Sequence, residues 1–203
     1  MSRMQNKIYQ FKISLKDIQP VIWRRILVPA KYTFWDLHVA IQDSMGWLDY
    51  HLHVFRIRQK SPNIEIEIGI PNEDLFEDEQ AILPGWHIPI TDYFDDLGII
   101  SLYEYDFGDS WIHEVLLEGM LIREKGQKYP KCIAGARACP PEDCGGIDGY
   151  QELLEIISDP KNDEYDEMIT WLGGKYNPEE FNPNKVKFDN PQTRWHKAFS
   201  NGL

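Results

Sequence analysis

The sequence predicts one α+β domain: a largely antiparallel sheet, roll-like, with helices packed on it. Three observations predict it. Several segments alternate apolar and polar residues, as half-buried strands do. Others repeat apolar residues at helical spacing. The two kinds come in runs rather than in strict alternation, which points away from a parallel α/β sheet.

The elements follow in order. KIYQFKISL (7–15) sets Tyr9, Phe11 and Ile13 against Gln10 and Lys12, a first strand. After DIQP, residues 21–28 make a second strand, which Pro29 ends. Thr33 starts a helix with Asp36 in the capping-box position. Phe34, Leu37, His38, Ile41 and Met45 share one helical face, and Gly46 stops the helix. HLHVFRIR (51–58) and IEIEIGI (64–70) are alternating strands around a Ser61-Pro62-Asn63 turn. Residues 71–90 read as an acidic loop, and Thr91 or Asp92 caps a short helix ending near Gly98.

Residues 100–120 read as a hairpin. Tyr103, Tyr105 and Phe107 lie on one face before the Gly108-Asp109 turn, and Trp111, His113, Val115 and Leu117 on one face after it. Asp148 caps the next helix, with Gln151 as capping-box partner and Tyr150, Leu153, Leu154 and Ile157 on its apolar side. Tyr165, Met168, Ile169 and Leu172 mark another helix, ended by Gly173-Gly174. The Asn-Pro-rich tail is irregular until Asn190 caps, and Pro191 opens, a last helix through Phe199.

At 203 residues, with 42% hydrophobic and 13% aromatic content, the chain can bury a sizeable core. No apolar run reaches membrane-spanning length. The first residues alternate rather than carry a signal h-region, and three cysteines do not suggest a secreted disulfide scaffold. The expectation is a cytoplasmic protein. The net charge is −12, and residues 61–122 hold 15 Asp or Glu and no Lys or Arg. That balance argues against a general nucleic-acid binder, although Arg24, Arg25, Arg56 and Arg58 could form a local basic patch. The plain reading of the charge is a solvated acidic surface.

Several residues could carry chemistry. His51 and His53, two apart on a strand, would share a face and could both bind a metal if a third ligand arrived. In YDFGDSWIH, Asp106 and Asp109 flank a tight turn and His113 follows, a set suited to acid–base work or to a cation. The same residues are ordinary turn chemistry. His38, on an apolar helix face, reads as a core histidine. ARACPPEDCGGIDGY (136–150) carries Cys139, Glu142, Asp143 and Cys144, but no second cysteine pair for a self-contained zinc site. Its thiols could join His51, His53 or His113 in a mixed site. Glu142 and Asp143 would raise the thiol pKa. No lysine follows the Gly145-Gly146 turn, so a phosphate loop is poorly supported. The loop reads best as a stiff lead-in to the helix after it.

These pieces together resemble the plasmid Ri ORF-three-like family: IQPVIWRRILVP, TFWDLHVAIQDSMGW, HLHVFRI, YEYDFGDSWIHEVLLE and YPKCIAGARACPPEDCGGIDGYQELLEII. The resemblance spans roughly residues 7 to 175. It implies an α+β roll-type domain over 1–175, with 176–203 as an irregular extension packed on it, and a family common on mobile elements. The matching positions are Asp106, Gly108, Asp109, Trp111, His113, Pro140, Pro141, Glu142, Asp143, Cys144, Gly145, Gly146, Gly149 and Tyr150. The resemblance gives none of them a catalytic role.

Three functions stand open on the sequence. The first is a binding module for a protein or small-molecule ligand, suggested by seven tryptophans and the acidic middle. The second is a metal-assisted hydrolase. Its catalytic candidates are Asp106, Asp109, His113 and Glu142, and His51, His53, His113, Cys139 and Cys144 are candidate ligands for a divalent transition metal. The third is nucleic-acid handling linked to mobile elements.

Overall fold

The computed structural model describes residues 6–59, 64–71 and 81–199. The Ser61-Pro62-Asn63 turn and much of the acidic loop lie outside them. In chain order the elements are β1 (Lys7–Leu15), β2 (Trp23–Pro29), α1 (Phe34–Met45), β3 (His53–Arg58), β4 (Glu65–Gly69), β5 (Leu83–Pro84), β6 (Ile100–Tyr105), β7 (Trp111–Ile122), β8 (Lys131–Ala136), α2 (Gly146–Ser158), α3 (Tyr165–Trp171) and α4 (Pro191–Phe199). The fold is α+β in one domain. Its single sheet has the order β5-β4-β3-β6-β7-β1-β2-β8, and every pairing except β4–β5 is antiparallel.

Alternation decides the two faces of the sheet. Phe11 and Ile13 of β1, Ile26 and Val28 of β2, Phe55 of β3, Tyr103 of β6 and Val115 and Leu117 of β7 are fully buried. Phe34, Leu37, His38 and Ile41 of α1 are buried too, and Phe34 packs edge-on to Phe55. The opposite face is polar and ion-paired. Arg25 of β2 bonds Glu118 of β7 through two nitrogens, at 2.6 and 2.9 Å. Arg56 of β3 bridges Glu67 and Glu104 on its two neighbouring strands. Arg24 is buried and Arg25 and Arg56 are paired with glutamates, so the basic patch suggested by Arg24, Arg25, Arg56 and Arg58 does not form.

α1 has the cap its sequence calls for. Thr33 Oγ1 accepts from the Asp36 amide at 3.2 Å, and Asp36 Oδ2 accepts from the Thr33 amide at 3.0 Å. Gly46 ends the helix at φ 96°. Thr33→Ala removes one of these bonds, so it is expected to cost about 1 kcal/mol of stability, measurable by urea denaturation.

Four local expectations are corrected. β3 begins at His53, so the alternation does not reach His51 and the two histidines do not share a face. A 3-10 turn over Ile90–Asp92, with no side-chain cap, stands where a short helix was expected. The hairpin turn is wider than Gly108-Asp109: Asp106 and Ser110 both take left-handed backbone, which leaves Phe107 47% exposed instead of on the Tyr103 face. α2 starts at Gly146, ahead of Asp148, with Gly145 as its uncapped N-terminal residue. β8 was missed because KCIAGA lacks bulky alternation, yet it pairs with β2 over Trp23–Leu27. Among the described residues no helix is long and apolar enough to cross a membrane.

A candidate metal centre at the meeting of three loops

Three connections converge at one end of the sheet: residues 46–52 between α1 and β3, the β6–β7 turn, and residues 137–145 before α2. Tyr105, the last residue of β6, holds the first and third together. Its hydroxyl donates to Glu142 and accepts from the Tyr50 amide at 3.1 Å. Burial, followed by the Glu142 contact, pushes the phenol pKa up, so it stays a donor. Glu142 also accepts from the Leu48 amide at 2.8 Å, and Trp47 Nε1 donates to the Pro140 carbonyl at 2.9 Å. The third loop meets the turn through Asp109, whose Oδ2 accepts from the Gly145 amide at 3.2 Å. Gly146 makes this approach possible, since a Cβ there would stand 2.7 Å from the Asp109 carbonyl oxygen.

His51, Asp106 and Asp143 come together at this junction. His51 Nε2 lies 3.0 Å from Asp143 Oδ1 and 3.6 Å from Asp106 Oδ2. All three ligand atoms lie within 4.8 Å of one another. His51 Nε2 is enclosed, yet it is aligned on neither carboxylate as a hydrogen bond requires. Ligands around one divalent ion, at about 2.0–2.2 Å from it, sit roughly 3–3.5 Å apart, close to the two separations His51 makes with Asp143 and Asp106.

The backbone is shaped for this arrangement. Asp106 and Asp143 are both left-handed, with φ 57° each, and Asp49 and Ser110 beside them are left-handed as well. Such residues cost free energy and persist where the surroundings fix them, often at functional sites. Asp106 Oδ1 accepts from the Gly108 amide at 2.9 Å, which leaves Oδ2 for the cluster.

The remaining candidates go elsewhere. His113 is fully buried and its Nδ1 faces the carbonyls of Trp111 and Tyr103, at 3.0 and 3.3 Å. Two acceptors require that Nδ1 carry the proton. Burial pulls its pKa down to about 4, so it is neutral. His53 stacks on His38 with ring centroids 3.5 Å apart, and burial, then the His38 charge, drives its pKa well down. His38 bonds the Tyr103 hydroxyl at 2.9 Å and Asp49 at 2.8 Å, a satisfied core histidine. Burial pushes the Cys139 and Cys144 thiols up to about 12, and the thiolate is the ligating form. Among the described residues, His51, Asp106 and Asp143 are the only such convergent set, and His53, His113, Cys139 and Cys144 do not join it. Asp109 and Glu142 flank it but are bound to Gly145 and to Tyr105 and Leu48.

Asp143 escaped the sequence-based choice of ligands. It stood out as a neighbour of Cys144 and as a family-motif position, and its partner His51 is 92 positions away. An Asp two residues before the Gly145-Gly146 pair, in a turn-like composition where Asp tolerates left-handed backbone, is the local signal that could have raised it.

Known proteins resemble this chain over most of its length. A Sinorhizobium fredii (strain NBRC 101917 / NGR234) protein described as "Uncharacterized protein y4hQ" is 31% identical over 171 residues, 84% of this chain and 83% of its own. The crystal structure of MM3350, a protein of unknown function from Methanosarcina mazei Go1, is similar with a TM-score of 0.81 and 43% identity, covering 90% of this chain and 99% of that one. The model of the plasmid pRiA4b ORF-3-like protein family matches residues 7–185, which takes in the sheet, α1 to α3 and all three loops of the candidate centre, and the chain belongs to that family.

Proposed function

We propose that the protein is a metal-dependent binding module, with a divalent cation held by His51, Asp106 and Asp143. The observation that carries this is the enclosed His51 Nε2, 3.0 and 3.6 Å from two carboxylates but hydrogen-bonded to neither. The Asp143 side chain is 64% exposed, so the far side of the ion would open to solvent and could accept a donor group from a small molecule or a protein. Carboxylate and imidazole ligands suit Mn²⁺, Zn²⁺ or Fe²⁺ better than a soft cation. The three cysteines are free thiols, in keeping with a cytoplasmic setting.

The open coordination side also favours a second reading, metal-assisted hydrolysis, because catalytic metals keep a position for water. The nearby carboxylates weigh against it. Glu142 and Asp109 are committed to protein donors and do not face the cluster as free bases. Binding is therefore the better-supported role.

Titration calorimetry of tag-free protein with Mn²⁺ and Zn²⁺ tests both. One equivalent is expected to bind, and His51→Ala or Asp143→Ala should weaken binding more than about 10-fold, the loss that even outer-shell changes cause. Uptake below one equivalent, or full affinity in both variants, would sink the proposal. Metal-dependent turnover of chromogenic esters or phosphoesters that disappears in His51→Ala would promote hydrolysis instead.

A further inference from the structure

A second site is marked by Arg24, on β2. The residue is 1% exposed, yet every hydrogen bond it makes goes to a neutral carbonyl. Nε donates to Ser44 at 2.8 Å, and Nη1 donates to Trp23 at 2.9 Å and to Ala136 at 3.0 Å. Its guanidinium lies 3.7 Å over the Phe181 ring. No carboxylate lies within ion-pair reach of the group, among the described residues. A buried charge without a counter-ion is costly, because water is lost and nothing of opposite sign replaces it. The nearby thiols do not offset it, since burial keeps Cys139 protonated, up to about 12. The carbonyl bonds explain how Arg24 ties β2 to β8 and to the end of α1. They do not explain the unpaired charge.

Arg24 lines an open cleft of about 440 Å³ between this end of the sheet and residues 175–187 of the tail. Lys175, Lys185 and Lys187 line it as well, with Asp43 and Glu180 as its carboxylates. Both carboxylates are taken. Asp43 pairs with Arg194 at 2.6 Å and accepts from the Asp189 amide, and Glu180 pairs with Lys185 at 3.0 Å. Arg24, Lys175 and Lys187 are left uncompensated among the described residues, in a protein of net charge −12.

We propose that this cleft binds the phosphate group of a small organic phosphate, with Arg24 as its buried anchor and Lys175 and Lys187 at its rim. Three unpaired cations match a dianion better than a carboxylate, and a guanidinium edge is a directional donor to phosphate oxygens. The volume falls in the range of small-ligand sites, roughly 300–1,000 Å³, which leaves room for an organic body beyond the phosphate. The site shares no residue with the His51 cluster and does not depend on the metal reading.

Calorimetry with phenyl phosphate and inorganic phosphate, on chelator-treated full-length protein, tests it. Chelation prevents phosphate captured by a bound cation from being counted. Phenyl phosphate is expected to bind one to one, and Lys175→Glu with Lys187→Glu should weaken it at least about 10-fold, equivalent to roughly 1.4 kcal/mol. Both lysines are exposed, so the melting temperature should hold. Arg24→Gln should abolish binding, but it also loses carbonyl bonds, so the lysine pair is the decisive variant. No saturable binding up to ~10 mM, equal binding of acetate, or wild-type affinity in the lysine variant would overturn the proposal.

Discussion

Gly149→Ala is expected to lower the melting temperature by roughly 6–12 °C, from a loss of about 3 kcal/mol at 2–4 °C per kcal/mol in a chain of this size. Gly149 lies in the first turn of α2, where alanine has the better helix propensity by about 1 kcal/mol. Propensity alone therefore predicts stabilisation. Packing reverses the sign. A Cβ at this position would stand 1.9 Å from the Cys144 carbonyl oxygen and 2.9 Å from its carbon. These are backbone atoms and cannot swing aside as a side chain would, so the 139–146 loop must shift. That loop carries Asp143, so metal affinity should fall together with stability. Gly173→Ala is the control: it is left-handed at φ 69° but has nothing within 4 Å of its added Cβ. It should cost only about 1–2 kcal/mol, the conformational term alone. If Gly149→Ala melts at or above the wild-type temperature, the loop does not pack as described.

Stability is also expected to drop between about pH 6.5 and pH 4, by about 3 kcal/mol from His113 alone at 1.36 kcal/mol per pKa unit. His113 is neutral in the folded protein because burial, the dominant cause, pulls its pKa from 6.5 to about 4. In the unfolded chain it takes up a proton near pH 6.5. Below that pH the unfolded state binds more protons, so folding weakens as pH falls until the folded form also protonates. The full contribution is present above pH 6.5 and is lost by about pH 4. His53, whose pKa is driven well down by burial and by His38, acts in the same direction. Carboxylates act lower. Glu118 is held below its ordinary value of 4.5, first by its bond from Arg25, so its contribution is lost only under more acid conditions. Urea midpoints at pH 7, 5.5 and 4.5 separate these windows. His113→Gln should flatten the curve between pH 6.5 and 4, and a wild-type curve already flat there would contradict a neutral buried His113.

Much of the fold was legible because its signals are local. Period-two alternation in residues 7–15 fixed which side of β1 is buried, and Thr33, Asp36 and Gly46 fixed both ends of α1. Asn190, whose Oδ1 accepts from the Gln192 and Thr193 amides, fixed the start of α4. Signals failed where a neighbour decided the conformation. Residues 131–136 carry little alternation of their own and become a strand because β2 offers an edge. Asp148 would have been a good cap, but the helix starts three residues earlier, where Asp109 docks on Gly145.

The candidate centre divides in the same way. The sequence by itself determined six of the eight strands, the first helix, the family, and the presence of Asp106, Glu142 and Asp143 in turn-rich segments. Only the tertiary structure decided which of them meet. Histidines that look alike in the sequence were separated by burial: His53 and His113 are neutral in the core, while His51, just before β3 begins, is only half-buried. In the proposed centre the 136–150 stretch contributes Asp143, with Glu142 beside it, rather than its cysteines. Arg24 went the opposite way, from a surface cation in the sequence to a buried, uncompensated charge. The physical reason is common to all of these. Conformational preference is written in a few neighbouring residues, whereas desolvation and charge pairing depend on groups that the chain brings together from positions far apart.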